Sequence, residues 1–227
     1  MNATKPALTG RNSETDVLQN WGDEEPGAAN GRVGQGLSDR IVTVIRAQAG
    51  VRTICDLGCG NGYLTSRLGE AGHTVTGVDA SERMLAIANT HYRSSRTDFR
   101  FATLGPAAVE QLRDRAPFDL VVSVDVVEHL YRPASLVETA DAILKPGGIA
   151  IICTPYHGYL KNLAISILDR WDDHHGVHFD GGHIKFFSVR TLTALISPSF
   201  AVEEMRFYGR FPGFWKNMIC VARKRAV

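Results

Sequence analysis

"ICDLGCGNG", running from Ile54 to Gly62, is the stretch that decides the fold of this 227-residue chain. An acidic residue and three glycines fall within seven positions, directly after an apolar, β-branched run. Fixing glycine costs backbone entropy, so three at alternate positions imply a tight turn that something approaches closely. A dinucleotide-binding loop carries GxGxxG after its first strand. Here Gly58, Gly60 and Gly62 spell GxGxG, and Tyr63 stands where that pattern has its third glycine. Asp56, two residues before the first glycine, repels a pyrophosphate and suits a cationic or ammonium-bearing ligand. No GKS or GKT follows, which excludes a P-loop.

Outward from this loop the chain alternates strand and helix. Strands read at 52–57, 74–79, 98–102, 119–124 and 147–153. Between them, helical spacing joins Tyr63, Leu64, Leu68 and Ala71, then Met84, Leu85 and Ala88, then a weaker run at Ala107–Asp114. Leu136, Val137, Ala140, Ile143 and Leu144 give the clearest helix. Upstream, Leu37, Ile41, Val44 and Ile45 share one helical face that Gly50 closes. Strands apolar on both faces and separated by helices predict a doubly wound α/β fold, its sheet mostly parallel. The strand-like segments 201–208 and 215–223, joined through Gly209 and Pro212-Gly213, add an antiparallel hairpin and bring the sheet to seven strands. Ser188 reads as the N-cap of the helix before them.

Two segments break the rhythm. Residues 1–36 are rich in Gly, Asn, Asp and Glu and read as a flexible arm, a candidate lid, with a short helical piece at Thr15–Trp21. The domain proper then spans 37–227. Residues 155–187 hold five of the eight histidines and read as an insertion over the active site. His174 and His178 stand i, i+4, but Gly176 weakens the helix between them and HExxH is absent. Leu160, Leu163, Ile167, Leu168 and Trp171 make an apolar helical face that reads as core packing, with a greasy substrate or a contact between copies as the alternative.

Composition narrows the function. With 44% hydrophobic residues the chain can bury a real core, and a net charge of +1 provides no field for nucleic acid. No apolar run approaches the roughly 20 residues of a membrane span, and the first residues lack the apolar core of a secretion signal. Cys55, Cys59, Cys153 and Cys220 lie in or beside core strands and form no CxxC, as expected of free thiols in a reducing cytoplasm.

Asp56-Leu57-Gly58-Cys59-Gly60-Asn61-Gly62 resembles the DxGxGxG motif of the Rossmann-like S-adenosylmethionine-dependent methyltransferases, and Val75–Ser81 resembles their second motif, with Asp79 ending strand two. Ser123–Leu130 and Gly182–Ser188 resemble the ubiquinone-biosynthesis O-methyltransferase branch, whose pattern after strand four is Glu-x-x-Glu-His; Asp125 replaces its first glutamate. The resemblance implies S-adenosyl-L-methionine as cofactor, with Asp79 on the ribose hydroxyls and Asp56, Gly58, Cys59, Gly60, Ala80, Met84 and Val124 lining its site. It further implies methyl transfer to a small molecule, to oxygen first. Transfer to nitrogen or carbon, and a non-catalytic cofactor-binding module, are the rival readings.

An oxygen acceptor of high pKa needs deprotonation or charge stabilisation, and the end of strand four is where such groups belong. Asp125, Glu128 and His129 stand there. His129 can act as general base. The three can instead hold a magnesium-like ion, as the resembled branch implies, or His129 can merely close a capped turn. Tyr156, His157 and His183 in the insertion are the candidate substrate contacts.

Overall fold

The computed structural model describes residues 31–175, 182–209 and 211–225. Helix α1 (Gly31–Arg46) leads into β1 (Thr53–Leu57), α2 (Tyr63–Glu70), β2 (Thr74–Asp79), α3 (Glu82–Tyr92) and β3 (Thr97–Phe101). Then come α4 (Pro106–Gln111), β4 (Phe118–Val124), a 3₁₀ turn (Val127–His129), α5 (Ala134–Ile143) and β5 (Leu144–Pro155). The insertion supplies α6 (Tyr159–Ile167) and α7 (Trp171–His175), and α8 (Val189–Ile196), β6 (Phe200–Gly209) and β7 (Trp215–Lys224) close the fold.

The strands form one seven-stranded sheet ordered β3-β2-β1-β4-β5-β7-β6. Neighbours from β3 to β5 are parallel, and β7 is antiparallel to both β5 and β6. Alternation along each strand divides the core between two faces. Ile54, Leu120, Val122, Ile149 and Ile151 pack under Leu37, Ile41, Val44 and Ile45 of α1. Cys55, Leu57, Val121, Ala150 and Ile152 face the other way, against α5 and α8. The expected doubly wound fold with its C-terminal hairpin is what forms.

Two boundaries and one burial expectation differ from the sequence reading. Helix α1 begins at Gly31, inside the segment read as an arm; Gly36 lies where a Cβ would run into the Tyr208 hydroxyl, so it marks a close approach of helix and strand. The expected helical piece at Thr15–Trp21 lies outside the described residues. Strand β5 starts at Leu144, which the helical spacing had claimed for α5. Pro146 drives its predecessor into extended geometry, so the helix stops at Ile143. The apolar face expected over residues 160–171 is not core: Leu160, Leu163 and Trp171 are exposed, with Ile167 at 73% and Leu168 at 67%. Ser188 does cap α8, in a capping box with Thr191.

Candidate active site

Strand β1 lies beside β4 in the sheet, and the strand order reverses between them, the switch point at whose C-terminal strand ends open α/β sheets hold their ligands in a crevice. The glycine loop leaves β1 into this crevice. The Gly58 and Cys59 N–H groups both donate to the Val78 carbonyl, at 2.8 and 3.0 Å, and fold the loop onto the end of β2. Asp79 then clamps it: Oδ2 accepts the Gly60 N–H and Oδ1 the Ser81 N–H, each at 2.8 Å. Burial pushes the Asp79 carboxyl up, and the Ser81, Gly60 and Ala80 amides pull it back. A carboxylate has about four lone-pair sites, so capacity remains for a diol.

The two later glycines do different work. At Gly60, φ is +53° and nothing lies within 4 Å of where a Cβ would stand, so the backbone is open to an approaching ligand. At Gly62, φ is +84°, and a Cβ would lie 2.8 Å from both Ala88 Cβ and Phe99 Cε1. That glycine lets α2 start against α3 and β3. Open backbone at Gly60 beside a fixed acidic side chain at the end of β2 fits S-adenosylmethionine.

The other residues expected at the cofactor are spread around this centre. Asp56 is 1% exposed, beneath the loop rather than in the crevice; it accepts the Thr65 hydroxyl at 2.7 Å, and burial pushes its carboxyl up to about 7. Cys59 is buried against Gly77, its thiol raised by the same desolvation. Ala80 and Met84 are half-buried past Asp79, the Met84 N–H donating to the capping Ser81 Oγ at 3.3 Å. Val124 is half-buried at the tip of β4.

Beyond β4 the chain turns sharply. Asp125 adopts φ +53°, rare for a residue with a Cβ, and Oδ1 accepts the Asn217 side-chain amide at 2.8 Å. Burial pushes the Asp125 carboxyl up to about 7. Glu128 is buried too; Oε2 accepts the Thr154 hydroxyl at 2.9 Å, and Oε1 has no hydrogen-bond partner among the described residues. Desolvation, then the Asp125 charge, raises Glu128 well above the carboxylate range. His129 Nδ1 lies 3.3 Å from the Gly182 carbonyl oxygen. A carbonyl only accepts, so Nδ1 carries the proton and Nε2 keeps the lone pair.

The insertion docks here. Ile184 and Lys185 N–H groups donate to the Glu128 carbonyl at 3.0 and 2.9 Å, and place His183 Nε2 4.0 Å from Glu128 Oε1. The donor atoms of Glu128, His129 and His183 lie within 4.8 Å of one another. This set takes His183 where the sequence reading had Asp125. One carboxylate with two imidazoles suits a transition metal, whereas magnesium takes oxygen ligands. The magnesium expectation on Asp125, Glu128 and His129 therefore does not fit, since Asp125 turns to Asn217.

Of the expected substrate contacts, only His183 joins this cluster. Tyr156 is wedged edge-on against Phe207 and Trp215, with centroids at 5.6 and 5.4 Å. His157 is buried beside His174 and His175. The i, i+4 partner of His174, His178, lies outside the described residues. Thr154 and Asn217 were missed; a lone amide in the apolar run of β7 was the available signal. The four cysteines are free and buried, and no helix among the described residues is long and apolar enough to cross a membrane.

Comparison with known proteins identifies the family and the fold. Residues 29–197 match the model of a family described as a methyltransferase domain. A ubiquinone biosynthesis O-methyltransferase of Caulobacter vibrioides is 37% identical over 116 residues, covering 50% of this chain and 44% of that protein. One of Ruegeria pomeroyi is 33% identical over 130 residues, covering 57% and 51%. The chain thus spans about half the length of the curated relatives it matches. Among solved structures, a SAM-dependent methyltransferase of Anabaena variabilis superposes with a TM-score of 0.72 at 16% identity, over 99% of this chain and 100% of the other. The magnesium protoporphyrin IX methyltransferase of Synechocystis, solved with S-adenosylhomocysteine bound, gives 0.66 at 18% identity, over 90% of each chain. At such identities these two attest the fold.

Proposed function

The chain belongs to the methyltransferase-domain family, and from that premise we propose that it transfers the methyl group of S-adenosylmethionine to a hydroxyl oxygen of a small molecule. The observation that carries this is the clamp of Gly60 and Ser81 amides on Asp79, beside backbone left open at Gly60. The cofactor supplies a methyl already activated on a sulfonium, so the protein's part is to position, exclude water and manage one proton.

Asp79 is the group for the ribose hydroxyls, through charge-assisted hydrogen bonds. Asp56, held under the loop, stiffens it through Thr65 rather than touching the ligand. His129 takes the acceptor's proton at Nε2, its tautomer set by the Gly182 carbonyl. Glu128 and His183 stand beside it, the donor atoms of the three lying within 4.8 Å of one another. The names of the relatives support oxygen as the acceptor atom. The exposed apolar side of α6 supports an acceptor with a greasy body.

The test is turnover. Purified protein is incubated with S-adenosylmethionine and a panel of catechols, phenols, amines and carbon nucleophiles, and products are mapped by mass spectrometry. Methylation at hydroxyls is the expected result. Methylation confined to amines or carbon overturns the oxygen assignment, and binding of cofactor without turnover of any acceptor overturns the catalytic reading.

A further inference from the structure

A second cluster of titratable groups lies in the insertion and takes no part in the chemistry above. His157 follows the end of β5, and His174 and His175 are the last residues of α7. Their ligand atoms lie within 4.8 Å of one another. His157 is only 7% exposed, and its Nε2 and that of His175 are buried with no hydrogen-bond partner among the described residues. A buried imidazole nitrogen without a partner gives up its hydration with nothing in return. Two in one place, beside a third imidazole, call for something that takes lone pairs.

We propose that His157, His174 and His175 form a site for a first-row divalent transition metal of the zinc type. Around a tetrahedral zinc with Zn–N bonds of about 2.0–2.1 Å, ligand nitrogens lie about 3.3 Å apart. Closing the 4.8 Å spread to that distance moves the rings by about 1.5 Å in all, within the reach of rotations about side-chain bonds. The three donors are nitrogens, which suits zinc, cobalt or nickel and not magnesium or calcium. The surroundings fit as well. Trp171 packs on His175 at 4.3 Å between centroids, and Phe186 stands edge-on to both His157 and His175, at 5.0 and 4.7 Å. These rings give the imidazoles apolar neighbours on the insertion.

The site shares no residue with the cluster of Glu128, His129 and His183, although His183 acts electrostatically on His157 and His174. It joins α7 to the chain just past β5, so a bound ion pins the insertion to the sheet and leaves one tetrahedral position for water or an incoming oxygen. Lys161 acts electrostatically on all three imidazoles, its ammonium donating to the Tyr156 carbonyl at 2.9 Å. Its charge opposes a dication, so Lys161→Met should tighten binding a few-fold.

The test is a cobalt titration of the full chain, freed of tags and treated with chelator, followed in the visible region. The expected result is one cobalt per chain with the d–d absorption of a four-coordinate nitrogen site, displaced by zinc. His157→Ala, His174→Ala and His175→Ala should each weaken binding by about 100-fold or more, beyond the 10–100-fold typical of losing an outer-sphere partner. His129→Ala and His183→Ala should leave the spectrum intact. His174 is exposed, so its replacement reports on binding even where His157→Ala disturbs the fold. Absence of the absorption in the wild-type chain overturns the site. So does a spectrum lost in His129→Ala and kept in His174→Ala, which moves the ion to the other cluster.

Discussion

Replacing Gly60 and Gly62 by alanine should separate ligand approach from packing, although the two residues are alternate members of one loop. Both have positive φ, which costs alanine about 1–2 kcal/mol. Part of that is offset, by about 0.4–1 kcal/mol, because alanine also restricts the unfolded chain. At Gly60 nothing lies within 4 Å of the new methyl, so the net cost is about 1 kcal/mol and Tm should fall by only about 2–4 °C. At Gly62 the methyl meets Ala88 and Phe99 at 2.8 Å, which adds an overpacking cost of about 1–3 kcal/mol. The sum, about 2–4 kcal/mol, should lower Tm by roughly 4–15 °C. Ligand affinity should rank the other way. Gly60→Ala fills the space through which the cofactor meets the backbone and should weaken S-adenosylhomocysteine at least about tenfold, or 1.4 kcal/mol. Scanning calorimetry gives the stabilities and isothermal titration the affinities. A Gly60→Ala protein that binds like wild type, or a Gly62→Ala protein that melts like wild type, refutes the assignment of these roles.

Other expectations follow from the same site. His129→Ala should lower kcat by about 10²–10⁴ while cofactor affinity, read by titration, changes little; wild-type kcat removes His129 as the base. Asp56, raised from 3.8 to about 7, stays protonated in the native chain where the unfolded chain has lost the proton, so its contribution to stability falls as pH rises through that window. The slope is about 1.4 kcal/mol per pH unit, and Asp56→Asn should therefore gain on wild type in melts from pH 5 to pH 7; parallel curves contradict this. His157, held near 4 by burial, titrates with the opposite sense, and so only the difference between the two proteins isolates Asp56. Ser188→Ala removes a capping box and should cost about 1 kcal/mol in denaturant unfolding, with cofactor affinity unchanged; an equal loss of affinity contradicts a purely structural cap.

The parts of this molecule that were legible in the sequence are those carried by local patterns. Glycine spacing after β1 and an acid at the end of β2 are each a few residues long and have few physical uses, and strands apolar on both faces announced a sheet covered on two sides. What escaped depends on distant pairings. His183 reaches Glu128 because Ile184 and Lys185 bond to the Glu128 carbonyl, a meeting of segments that no short-range pattern encodes. Asn217 reaches Asp125 across the β5–β7 pairing. Helical periodicity on α6 marked an apolar face correctly but could not say what covers it, and the face is exposed. His157 read as a substrate contact, although its surroundings are imidazoles and aromatic rings brought in by α7 and by Phe186.

The most direct test of the central claim is calorimetric titration of S-adenosylmethionine into wild type and Asp79→Ala, with melts to establish that both are folded. One or two charge-assisted hydrogen bonds at about 1.5–3 kcal/mol each set the scale of the loss. Wild type should bind one equivalent, and Asp79→Ala should bind about tenfold to several hundredfold more weakly. A wild-type protein that does not bind the cofactor, or a folded Asp79→Ala protein that binds it as tightly as wild type, would contradict the account.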